Sequence, residues 1–147
     1  MEGKEFLTVA QKLVQMRSEA AIRSATSRTY YAIFNTGITL LNELGFSFPK
    51  DASAHELLYY RLHNSGLPDI SALAITTKKL RQKRIRADYE MKSKDFHSPL
   101  ECELDIAGAS LIIAQLESCY QQPLRNQLKD GIQEYEQKIN RGSIASA

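Results

Sequence analysis

Between Ile70 and Met91 the chain sets Ile70, Leu73, Thr77, Leu80, Arg84, Ala87 and Met91 alternately three and four residues apart. Only an α-helix returns side chains at that spacing to one side, so the segment predicts a long helix with a covered seam. The seam is apolar or small except at Arg84. A guanidinium on a covered face needs a partner, because a sheltered charge left alone is costly. The sequence therefore predicts two things at once: a helical protein, and an arginine held out of bulk water.

The remaining segments have helical periods too. Phe6, Val9, Leu13 and Met16 share one face of a first helix, and a longer second helix runs from about Ser18 to Leu44, with Gly45 as its stop. FSFPKDASA is a connector, and Ser53 with Glu56 reads as a capping box opening a third helix, which Asn64-Ser65-Gly66 ends. The fourth helix opens near Pro68 and reaches about Met91. Ser98 with Glu101 is a second capping box, with Pro99 at the first helical position. The fifth helix carries Leu104, Ala107, Leu111, Ala114 and Ser118 on one stripe, with Pro123 breaking or restarting it. Leu124 to Asn140 forms a sixth segment. No stretch alternates with period two, so the fold class is all-α: one domain over residues 1–140, and a flexible tail over 141–147.

A chain of 147 residues, 43% of them apolar, has enough material for one core. Its net charge of +2 does not by itself demand a nucleic-acid partner. Cys102 and Cys119, on one helix, stand about 25 Å apart at 1.5 Å per residue, too far for a disulfide. Unpaired thiols fit a reducing compartment, and no stretch approaches the ~20 apolar residues of a membrane span, so a cytoplasmic setting without membrane contact is expected. No Cys-x-x-Cys pair, no metal-ligand histidine spacing and no glycine-rich phosphate loop calls for a cofactor.

Asp88, one turn past Arg84, is its natural counter-ion, with Tyr89 on a neighbouring face. This is either an intrahelical ion pair under a packed bundle or an arginine facing a cleft, where its planar fork suits phosphate oxygens. Helix two repeats the pattern, with Arg28 on a stripe of small residues, Ala21, Ala25 and Ala32, beside Tyr30 and Tyr31. Lys78, Lys79, Lys83 and Arg86 lie off the seam as solvated charges that surround Arg84. Of the histidines, His55 lies in the first turn of helix three, where it serves either as a helix-start hydrogen bonder or as a base delivered to the arginine face.

Three stretches, RSATSRTYYAIFNTGITLLNELGF, PKDASAHELL and LRQKRIRADYEM, occur in the order seen in HEPN domains, and together the chain resembles that family from about Val9 to Tyr120. The resemblance implies an up-and-down bundle of four to five main helices plus the C-terminal segment, associating as a homodimer. It implies a place in toxin–antitoxin or anti-phage defence systems, with an operon-encoded nucleotidyltransferase or antitoxin as possible partner. Many such domains are metal-independent RNases whose signature is Arg, four to six residues, then His. Counting from Arg84, those places hold Tyr89, Glu90 and Met91, and none is His. Histidine titrates near 6.5 and moves protons at neutral pH, whereas tyrosine, near 10, is a poor base.

The expected function is therefore RNA or nucleotide binding through Arg84, Arg28 and the surrounding Lys79, Lys83 and Arg86. The alternatives are an endoribonuclease using Arg84 and Asp88 with Tyr89 or His55, and a non-catalytic dimeric scaffold.

Overall fold

The computed structural model describes residues 1–146, with side chains described through residue 142. It is all-α, with six helices: α1 (Glu5–Val14), α2 (Glu19–Glu43), α3 (Ser53–His63), α4 (Pro68–Tyr89), α5 (Pro99–Ser118) and α6 (Leu124–Ser146). No strand occurs among the described residues, and no helix is long and apolar enough to cross a membrane. α2 is the central rod. α1, α4 and α5 pack along it, α3 lies against α4, and α6 touches α3.

Local chemistry sets the helix ends. Ser18 accepts a hydrogen bond from the Ala21 N–H and opens α2. Gly45, at φ +98°, closes it: Gly45 N–H donates to the Asn42 carbonyl and Phe46 N–H to the Leu41 carbonyl. These are the paired bonds of a Schellman stop, and the left-handed residue in it favours glycine. Ser98 accepts from the Glu101 N–H, as the second capping box requires. At α3 the expected box does not form. Asp51 instead accepts from the Ser53 N–H at 2.8 Å, and the Ser53 hydroxyl donates to the same carboxylate. A carboxylate two residues upstream outcompetes the hydroxyl because it is charged and already faces the free N–H groups.

Two expected faces are rotated. α1 buries Leu7, Ala10 and Val14 and exposes Val9 and Met16. α5 buries Cys102, Ile106, Ala109, Ile112, Ile113 and Leu116, while Leu104, Ala107, Leu111, Ala114 and Ser118 face outward. The α4 seam holds from Ile70 to Ala87, but Met91 lies past the helix end and is exposed. α6 continues to Ser146, beyond the expected boundary at Asn140, and Ala147 lies outside the described residues.

α6 docks on α3 through Leu128 and Ile132, both fully buried. Gly131 passes so close to the Ser65 carbonyl that a Cβ there would overlap its oxygen. Arg61, buried on α3, ties the contact: its Nε meets Glu136 of α6 at 2.5 Å and its Nη1 donates to the Ser47 carbonyl at 2.6 Å.

Candidate functional site

Arg84 lies inside the protein, 8% exposed, where α4 faces α2. Its Nη1 stands 3.4 Å from Asp88 Oδ2, a long contact, and Ser27 Oγ on α2 reaches the same oxygen at 3.4 Å. The guanidinium also stands over two aromatic faces, 5.5 Å from the Tyr30 ring and 5.3 Å from Tyr31. Tyr31 is shared: Arg28 approaches the same ring at 5.2 Å and the Phe6 ring at 5.1 Å. The two sheltered arginines thus converge on one tyrosine, and ring faces replace much of the water each cation has lost.

His55, from the first turn of α3, joins this cluster. Its ring stacks on Phe34 at 4.1 Å, and its Nδ1 lies 2.6 Å from the Tyr30 hydroxyl. Burial first, then the charges of Arg81 and Arg84, hold its pKa down at about 4. The imidazole is therefore neutral at pH 7. We assign the phenol as donor to Nδ1, which satisfies that hydroxyl and puts the ring proton on Nε2. Burial pushes the Tyr30 phenol well above its ordinary value, so it stays protonated.

Beside His55 a cleft opens between α3 and α4, lined by Tyr30, His55, Tyr59, Tyr60, Lys78 and Arg81 among others. Its volume of about 50 Å³ has room for a few water-sized groups and none for a nucleoside. Tyr60 is exposed at the rim, and Lys78 Nζ sits 4.6 Å over the Tyr59 ring. The Nε atoms of both Arg81 and Arg84 are buried without a hydrogen-bond partner. Two guanidinium N–H groups left unpaired in one neighbourhood are costly, and an oxyanion is the acceptor that suits them best.

The other expected site residues lie elsewhere or are already paired. Tyr89 is 74% exposed at the end of α4, so it is a poor stand-in for the histidine of the RNase signature. Lys83 is bound to Asp105 on α5 at 2.5 Å, and Arg86 stands 3.5 Å from Asp95. Lys79 is exposed on the opposite side of α4, beside Lys83. His97 is exposed, 3.8 Å from Glu19.

The sequence reading missed Arg81 and Arg23. Arg81 precedes Arg84 by three residues, so helix geometry already puts it on an adjoining face. Arg23 is buried on α2 and gathers the end of α4. Its Nη1 donates to the carbonyls of Arg86, Ala87 and Glu90, and its Nη2 to those of Met91 and Ser93. Glu19 pairs with it at 2.9 Å, and the Phe96 ring lies 4.6 Å below. The helix terminus carries partial negative charge, and this cation neutralises it while fixing where α4 stops.

No family model, no curated protein and no solved structure matches this chain. What fold and site define is a class: an all-α bundle with a buried arginine–tyrosine–histidine cluster behind a small, largely apolar cleft whose charged lining is Lys78, Arg81 and Glu56.

Proposed function

We propose that this is a HEPN-like helical protein that binds RNA or a nucleotide by its phosphate, at the cleft between α3 and α4, as a component of a cytoplasmic defence or toxin–antitoxin system. The observation that carries the reading is Arg81, which lines the cleft beside Lys78 and whose Nε has no hydrogen-bond partner, with the Arg84 guanidinium behind it. A phosphate oxygen at the cleft meets Arg81 and Lys78 directly, with Arg84 behind them as a fixed charge. Tyr60 at the rim offers a flat face on which a base can stack, a sequence-tolerant mode of single-strand binding. The small cleft volume limits the group that enters to the phosphate and leaves sugar and base outside.

The second reading is a metal-independent endoribonuclease. A histidine beside two phosphate-stabilising arginines favours it, but the Tyr30 hydroxyl occupies Nδ1 at 2.6 Å and the ring proton sits on Nε2, so His55 becomes a base only once that bond is broken. A pKa of about 4 makes that base weak at neutral pH, so binding ranks ahead of cleavage. Labelled total RNA incubated in EDTA with wild type, Arg81→Ala and Arg84→Lys separates the readings. Retarded RNA of unchanged length, released in Arg81→Ala, is expected. Shortened RNA that depends on Arg84, and is lost as well in a His55→Gln variant, establishes the nuclease instead. A protein whose variants lose thermal stability and show no RNA effect is a scaffold.

A further inference from the structure

The cleft between α3 and α4 is closed at its inner end. Tyr30, Leu58, Leu62 and Ala74 line it, and each is 2% exposed or less. Its charged residues lie nearer the solvent: Lys78 and Glu56 are exposed, and Arg81 is half-buried. A group that enters therefore has one way out for the rest of its molecule. We propose that this cleft takes a terminal phosphate, the singly substituted phosphate of a strand end or of a free mononucleotide, and rejects both internal phosphodiesters and longer phosphate chains. The inference rests on the phosphate reading above and adds which phosphate.

Size is the first argument. A water-sized group takes about 10–15 Å³, so a cavity of about 50 Å³ admits about four, the oxygens of one phosphate group. In a terminal phosphate three oxygens are free and one leads outward to the sugar. In an internal phosphodiester two lead outward, to different sugars, and a cleft closed at its inner end has an exit for only one.

The donors agree. Arg81 makes no hydrogen bond or ion pair among the described residues, and its Nε is buried. Lys78 is held 4.6 Å over the Tyr59 ring and has no carboxylate partner among them. His55 has Nδ1 engaged by the Tyr30 hydroxyl at 2.6 Å, so its other ring nitrogen presents an N–H. Three donor groups match the three free oxygens of a terminal phosphate. A diester offers two and leaves a donor without an acceptor, which is costly. Charge agrees as well: a phosphate monoester carries about −1.5 to −2 at pH 7, against the two cations of the lining, and a diester carries less.

Glu56 sets the upper limit. It follows His55 in α3, lines the same cleft and pairs with no cation among the described residues. A second phosphate joined to the first would lie at the mouth, against this carboxylate, and like charge repels it.

Fluorescence anisotropy of a short single-stranded RNA, labelled at its 3′ end, tests this with a 5′-monophosphate, a 5′-hydroxyl or a 5′-triphosphate. The monophosphate is expected to bind tightest. The hydroxyl should bind about 10–100-fold more weakly for its lost charged hydrogen bonds, and the triphosphate about 10-fold more weakly. Glu56→Gln, at an exposed position, should remove most of the triphosphate penalty. Adenosine monophosphate as competitor separates the two sources. Displacement at a concentration similar to that of the 5′-phosphorylated strand assigns the site to a free nucleotide, and displacement by the strand alone assigns it to a strand end. Hydroxyl and monophosphate strands that bind alike, while Arg81→Ala weakens both, overturn the proposal and leave the phosphate reading intact. No binding of any strand, or binding indifferent to Arg81→Ala, overturns both. A triphosphate preferred by wild type, or an unchanged preference in Glu56→Gln, overturns the rejection of longer phosphate chains. If Arg81→Ala fails to fold, the ligand series on wild type decides.

Discussion

The hydroxyl of Tyr30 on α2 lies 2.6 Å from Nδ1 of His55 on α3, so two helices that otherwise touch little are joined at the candidate site. With the phenol as donor the bond takes a neutral imidazole, and the folded protein supplies one by holding the pKa at about 4. An unfolded histidine titrates near 6.5 and so binds its proton first as pH falls. Stability should therefore decline between about pH 6.5 and about pH 4 and stop declining from this cause below that. Allowing for the ring's partial solvent access, the loss is about 1–2 kcal/mol. Denaturant titrations of wild type and His55→Gln across this range check it; the variant should lose this part of the pH dependence. An NMR titration that finds the His55 ring protonated by pH 6 contradicts it.

Arg23 should matter to folding more than any residue of the cleft. Replacing it by alanine leaves five carbonyls at the end of α4 without their common donor and Glu19 without its partner. Arg23→Ala should cost about 3 kcal/mol, or about 10 °C in Tm. Hydrogen exchange should rise first at the last turn of α4. A variant that melts within a degree or two of wild type would show that water replaces the guanidinium without loss.

Gly131 is where α6 meets the turn after α3. A methyl there overlaps the Ser65 carbonyl, and backbone gives way less readily than a side chain. Gly131→Ala gains helix propensity of about 1 kcal/mol, yet should destabilise the protein by about 1–3 kcal/mol net through the clash. Gly142→Ala, where a Cβ meets nothing within 4 Å, is the control and should be neutral or slightly stabilising. Limited proteolysis should cut α6 faster in the first variant alone.

Some of this was legible in the sequence. The α4 seam could be read because its polar positions separate cleanly from its apolar ones, and it placed Arg84 inside beside Asp88. α5 misled because both of its faces are apolar: periodicity then fits two opposite orientations, and the one with more leucine was the outer one. Arg81 and Arg23 escaped because their roles come from contacts across the bundle. A guanidinium that caps a helix more than sixty residues away leaves no local pattern. His55 was placed in the correct turn, but its low pKa depends on Arg81 and Arg84 from another helix.

The phosphate reading makes one quantitative demand on binding. A single strand that seats one phosphate on Arg81 and Lys78 should lose about 2–3-fold in affinity between 50 and 200 mM salt. Fluorescence anisotropy of a labelled single-stranded RNA over that range, with wild type beside Arg81→Ala, measures it. The account predicts this salt-dependent loss for wild type, with weaker binding and a shallower slope in the variant. Affinity independent of salt, or a wild type and Arg81→Ala that bind alike, contradicts it.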